Sequence, residues 1–147
     1  MGLIDVVGPG PVAVDTVVFI YFVEERPIFV DLVQELLGEV AAGRLQAVTS
    51  ALTLLEVLVV PLRHGNRALA DRYEALLTRS RGLHLAPVDL AHLRAAAQLR
   101  ASFPGLGTPD ALQLTAALST GCTSLVTNDR HLPSVPGLKV LQLRDFA

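Results

Sequence analysis

Four carboxylates in this chain of 147 residues stand in sequence that otherwise asks to be buried. Asp15 is the only charged residue between Asp5 and Glu24, and Glu56 the only one between Arg44 and Arg63. Asp110 is the only one between Arg100 and Asp129, and Asp129 itself closes the apolar run SLVTND. Surface carboxylates usually have charged neighbours, because a solvated face is polar along its length. A carboxylate in an apolar setting is costly unless something pairs with it. Apart from Arg130, next to Asp129, no Lys or Arg lies within six residues of these four, so a metal ion is the natural counter-charge. Oxygen-only donors select hard cations, Mg2+ or Mn2+ over Zn2+. With one or two such ions, an acidic cluster binds a phosphodiester, activates water and stabilises the leaving oxygen. That chemistry is a metal-dependent nuclease.

Each carboxylate has a bland reading too. A lone Asp at a strand end is often a turn former, and Asp110 at a helix start complements the helix dipole. Glu56 lacks such an excuse; its main alternative is a buried pair with a distant Arg. Four such placements together favour convergence.

The surrounding elements must bring them together. Residues 1–10 read as a loose lead-in, broken by Gly8-Pro9-Gly10-Pro11. Val12 to Val14 is a short strand ending on Asp15, and Val17 to Val23 a buried helix. Pro27 opens a helix over 27–42, and Leu45 to Val48 is a second strand. Thr49 or Ser50 caps a helix over 51–62, ended by Pro61, His64 and Gly65. Asn66 caps a helix over 67–80, Leu83 to Val88 is a strand, and Asp89 caps a helix to Ser102. Thr108 as N-cap, with Pro109 at the first helical position, starts a helix that runs to Gly121. Strands follow at Ser124 to Thr127 and Leu138 to Leu143, with a loop between them. Strands alternating with helices predict a single α/β domain over 1–147, a sandwich on a mainly parallel sheet. Ligands bind such sheets at the carboxyl ends of their strands. Asp15 and Asp129 fall there, Asp110 sits at a helix start, and Glu56 has the longer side chain to reach back.

Net charge is −2 and the pI about 6.0, so the whole chain is no cationic nucleic-acid glove. Eleven of the twelve basic residues are Arg, the exception being Lys139. The single Cys122 forms no internal disulfide and reads as a small hydrophobe. His64, His84, His92 and His131 lack metal-ligand spacing. At 51% hydrophobic residues and a mean hydropathy of +0.48, the chain has an apolar surplus that suggests a face covered by a partner. No secretory signal or membrane span is apparent, so a cytoplasmic protein is expected.

The segments VAVDTVVFIYFVEE (12–25), TSALTLLEVL (49–58), GTPDALQLTAAL (107–118) and LVTNDRHL (125–132) resemble PIN-domain ribonucleases, and specifically VapC-like toxins of toxin–antitoxin pairs. The resemblance implies a three-layer α/β/α sandwich with a mainly parallel central sheet of four to five strands. It implies a Mg2+- or Mn2+-dependent endoribonuclease with one or two ions per site. Asp15, Glu56, Asp110 and Asp129 would be the acidic, metal-site residues, Asp15 and Asp110 as direct ligands and the others partly through water. Thr16, Thr127 and Asn128 would support them. Arg130 and His131, next to Asp129, read equally as a contact for RNA phosphates or as a solvated loop. A homodimer and a cognate antitoxin are the implied partners. Val17 departs from the family, which often has Asn there. The Arg63, Arg67, Arg72, Arg79 and Arg81 group reads as a solvated face, or as a contact for RNA or an acidic antitoxin segment. Competing functions are a catalytically silent PIN-like binding module and, more weakly, an α/β phosphatase. The phosphatase lacks both a second Asp at position 17 and a useful Lys.

Overall fold

The computed structural model describes residues 1–147. Five strands form one sheet: β1 (Val12–Val14), β2 (Ala47–Ser50), β3 (Leu83–Ala86), β4 (Ser124–Thr127) and β5 (Lys139–Gln142). They lie in the order β3-β2-β1-β4-β5, and every neighbouring pair is parallel. The chain builds outward from β1 to one side, then crosses back to build β4 and β5 on the other. The reversal leaves a crevice between β1 and β4 at their carboxyl ends, where open parallel sheets accept ligands.

Seven helices flank the sheet: α1 (Leu3–Val7), α2 (Thr16–Val23), α3 (Val30–Ala41), α4 (Leu52–Arg63), α5 (Arg67–Arg79), α6 (Leu90–Ser102) and α7 (Thr108–Ser119). The period-two alternation of a strand assigns them to layers. Val12 and Val14 of β1 face a core completed by Phe19 and Val18 of α2, Val33 and Leu36 of α3, Val57 of α4, and Tyr73 and Leu77 of α5. Ala13 faces the opposite core, made with Ala96 of α6 and Ala111, Leu114 and Ala117 of α7. The expected three-layer α/β/α sandwich is what forms.

Several boundaries differ from expectation. Residues 3–7 of the anticipated loose lead-in form α1, because Leu3 and Val7 are both buried in the first core. α3 starts at Val30 rather than Pro27. β2 is displaced toward the carboxyl side and takes in Thr49 and Ser50. Ala51, rather than Thr49 or Ser50, is the N-cap of α4, although Ser50 Oγ accepts from the Leu52 amide at 3.1 Å. Pro61 lies inside α4, near its end, rather than terminating it. Gly107, not Thr108, is the N-cap of α7; the Thr108 hydroxyl instead accepts from Arg100 at 3.0 Å. Asn66 and Asp89 cap α5 and α6 as expected, accepting from the Leu69 and His92 amides. The His92 ring also bonds Ser119 Oγ at 3.2 Å, which ties α6 to α7.

Gly82 makes the tight entry to β3, with φ +81°. A Cβ there would lie 2.9 Å from the Val40 carbonyl oxygen, while its own carbonyl accepts from the Ala47 amide at 2.9 Å. Gly43 has almost the same φ, +79°, with open space around it. Both Gly→Ala variants carry about 1 kcal/mol or more of left-handed backbone strain. Gly82→Ala is expected to cost roughly 1–3 kcal/mol beyond Gly43→Ala in urea unfolding at unchanged slope, because backbone cannot yield to the clash. Equal losses would show that α3 moves freely against β3.

Candidate active site at the β1/β4 crevice

Asp15 follows the last residue of β1 and is the N-cap of α2. Its backbone is locked to the neighbouring strand by its own amide, which donates to the Val126 carbonyl at 3.0 Å. Its carboxylate is fully directed: Oδ1 accepts from the Thr16 amide at 2.8 Å, and Oδ2 from Thr127 Oγ1 at 2.6 Å. Thr127, the last residue of β4, is buried and serves both sides of the crevice, since its Oγ1 also accepts from the Asp129 amide at 3.0 Å. Burial pushes the Asp15 carboxyl above the ordinary range; the Thr127 hydroxyl and Thr16 amide oppose that, and the Asp129 charge adds to it.

Glu56 projects from the second turn of α4 without an arginine partner. Its Oε1 accepts from Thr16 Oγ1 at 2.7 Å. Behind Thr16 lies a buried polar cluster that reasoning from sequence does not single out. Thr53 Oγ1 is 3.1 Å from Thr16 Oγ1 and 2.8 Å from Thr49 Oγ1, and Gln113 Nε2 donates to Thr53 Oγ1 at 2.8 Å. One signal for it exists: Gln113 is the one amide in the apolar run ALQLTAAL, isolated in the same way as the carboxylates.

Asp110 lies in the first turn of α7 and Asp129 just beyond β4. The two side chains come within hydrogen-bonding reach of each other. Burial, then the Asp129 contact and charge, then the charges of Asp15 and Glu56 push the Asp110 carboxyl up to about 7. Burial also raises Asp129, but the His131 amide and the contacts with Asp110 and the His131 ring bring it net below the usual range. The two carboxyls therefore titrate as a pair, and their mutual repulsion appears as the rise at Asp110.

Asp110 and Asp129 are thus brought together, with Asp15 and Glu56 within electrostatic reach. No three acidic, imidazole or thiol side chains close on a common point, and Asp15 and Glu56 are each bonded to a threonine hydroxyl. Asn128 is placed differently from its expected role at a water or ligand: its Oδ1 accepts from the Arg144 amide and its Nδ2 donates to the Tyr21 hydroxyl. Both ends of its amide are engaged in tying the carboxyl terminus to α2. Arg130 and His131 are exposed at the rim, Arg130 beside Asp145 at 3.8 Å and the His131 ring 3.2 Å from Asp129. Arg63, Arg67, Arg72, Arg79 and Arg81 are exposed and form no ion pair.

The chain belongs to the PIN domain family, whose model matches residues 12–138. PIN domains are generally nucleases. Among solved structures, it is similar to VapBC2 from Rickettsia felis bound to a DNA fragment from their promoter. That likeness has 18% identity over 89% of this chain and 97% of that one, with a TM-score of 0.67. A toxin–antitoxin complex from Klebsiella pneumoniae is similar at 20% identity over 86% and 94% of the two chains, TM-score 0.65. FitAB bound to an IR36 DNA fragment is similar at 18% identity over 90% and 94%, TM-score 0.65. At such identities the likeness is one of fold. No curated protein matches the chain in sequence.

The raised Asp110 carboxyl has a stability consequence. Its proton is bound more tightly in the folded than in the unfolded chain, so its contribution is complete below pH 3.8 and is lost as pH rises through about 7. Without divalent metal, Asp110→Asn is expected to be more stable than wild type at pH 8, by about 1–2 kcal/mol, with the advantage fading toward pH 5. The full roughly 1.4 kcal/mol per pKa unit does not apply, because the carboxyl is half exposed and solvent screens it. Melts of both proteins across pH check this, and parallel curves would refute it.

Proposed function

We propose that this protein is a divalent-metal-dependent endoribonuclease that hydrolyses RNA phosphodiester bonds, and that it is the toxin of a type II toxin–antitoxin pair. The observation that carries the reading is the crowding of Asp110 by Asp129, Asp15 and Glu56, which together with burial raises its carboxyl to about 7. Two carboxylates about 4 Å apart repel by roughly 4 kcal/mol at an effective dielectric near 20. A divalent cation relieves that repulsion while all four remain ionised. The donors are all oxygen, which suits Mg2+ or Mn2+. Asp15 and Asp110 would hold the ion directly, one or two per site, with Glu56 and Asp129 partly through water.

When bound, the ion supplies Lewis-acid polarisation of the phosphate and a more acidic water. The protein's own part is positional. Thr127 aligns Asp15 with Asp129 across the crevice, and Glu56, with its Oε1 engaged by Thr16, is left with Oε2 to orient the attacking water. Arg130 and His131 meet the RNA backbone from the exposed rim, supplying locally the positive charge that the chain as a whole lacks. A catalytically silent PIN-like module would be expected to have lost one of the acids, and none is missing. Asp15→Asn and Asp110→Asn are expected to reduce Mn2+-dependent RNA cleavage on the order of 100-fold or more while circular dichroism stays native. Mn2+ should raise the wild-type melting midpoint with concentration and raise that of either variant less. Undiminished cleavage by both variants ends the nuclease reading.

Partners follow from uncovered apolar surface. On α4, Leu55, Val59 and Leu62 recur at helical spacing and are 60%, 40% and 57% exposed, which suits a homodimer seam. A cavity of about 260 Å³ among Phe19, Phe22, Leu37 and Leu76, with Arg81 at its edge, suits an antitoxin segment. No helix is long and apolar enough to cross a membrane, and a cytoplasmic site of action fits an RNA target. Val59→Arg is expected to convert a dimer into a monomer in sedimentation without altering the fold; a dimer that persists places the seam elsewhere.

A further inference from the structure

The polar cluster behind Glu56 exceeds what packing requires. Thr16, Thr49, Thr53 and Gln113 are buried and come from four elements, α2, β2, α4 and α7. Apolar side chains of the same shape could fill that space at little or no cost in stability.

The directions of its hydrogen bonds can be assigned. A backbone amide only donates, so the Ser50 N–H donates to Gln113 Oε1, at 3.1 Å. That contact orients the Gln113 amide and leaves Nε2 to donate, to Thr53 Oγ1 at 2.8 Å and to Thr16 Oγ1 at 3.5 Å. At the other end, an ionised carboxylate only accepts, so Thr16 commits its one hydroxyl proton to Glu56 Oε1. Thr16 Oγ1 is then an acceptor toward Thr53 at 3.1 Å, and Thr49 donates to Thr53 at 2.8 Å. The protons run one way, from the β2 backbone through Gln113, Thr53 and Thr16 to Glu56.

We propose that Gln113 is a positioning residue for Glu56. Its amide, locked by Ser50, orders the Thr53 and Thr16 hydroxyls so that Thr16 holds the Glu56 carboxylate in one rotamer beside Asp110. The effect on rate rests on the ribonuclease reading; the effect on geometry does not.

Gln113→Leu removes the ordering amide at similar volume. RNA cleavage is expected to lose about 10- to 100-fold in kcat, with KM within about twofold. In a Glu56→Gln background the same substitution is expected to cost less than about twofold, because the group it positions is already gone. Equal losses in both backgrounds, or an undiminished kcat, overturn the proposal. A second readout needs neither metal nor RNA. Scalar couplings along the Glu56 side chain should report one rotamer in the wild type and averaging in Gln113→Leu; a fixed rotamer in both overturns it. Should Gln113→Leu fail to fold, Thr53→Val takes its place, with Thr53→Ser as the rescue. Val is expected to reproduce both effects and Ser to reverse them, and Ser behaving like Val also overturns the proposal. A wild-type protein that cleaves no RNA would sink the ribonuclease reading, while the couplings would still decide the positioning role.

Discussion

Like-charge repulsion at the carboxyl edge of the sheet is the constraint from which the rest of the structure follows. Four acids from four separate segments bear on one crevice, and ionising Asp110 there beside Asp129, Asp15 and Glu56 is costly. The protein meets this in two ways. The Asp110 carboxyl is raised to about 7 beside Asp129, and buried hydroxyls fix the carboxylates of Asp15 and Glu56.

The hydroxyl layer explains why so much polarity is buried beneath so apolar a chain. Thr127 bonds to both sides of the β1/β4 crevice, while Thr16 carries the influence of α7 and β2 out to α4. Short, branched Thr side chains have few rotamers, so each hydroxyl is placed at little entropic cost. Asp15, Glu56 and Asp110 are held at a strand end or in helix turns, and Asp129, two residues past β4, is tied by its amide to the Thr127 hydroxyl. That is what a site tolerant of only small misplacements needs.

The apolar surplus divides between inside and outside. Two cores, one on each face of the sheet, absorb most of it, and even a three-residue strand such as β1 is buried on both sides. Of what remains exposed, Leu55, Val59, Val60 and Leu62 lie together on α4, while Ile28, Val88, Leu90, Leu93 and Leu118 lie elsewhere. Glu56 lies on α4 itself, so a partner seated on that helix would sit close to a group of the site.

Much of this was written in local sequence. Hydrophobic periodicity located every strand and the long helices, because burial of one face imposes its period whatever the remainder of the chain does. Asn66 and Asp89 revealed their caps because a cap is a contact of three residues' span. The isolation of Asp15, Glu56, Asp110 and Asp129 marked them, since an unpaired charge in an apolar run is conspicuous without coordinates. Other features depended on contacts distant in sequence. α1 exists only because Leu3 and Val7 find a core built from later elements. Thr108 gave up the cap of α7 to an arginine on α6, and Asn128 was drawn away to Arg144 and Tyr21. Which acid's carboxyl is raised, and in what direction the hydroxyls point, was decided by tertiary structure alone. Those outcomes turn on ångström separations between residues up to 112 positions apart, and electrostatics and hydrogen bonding depend on distance and angle rather than on order along the chain.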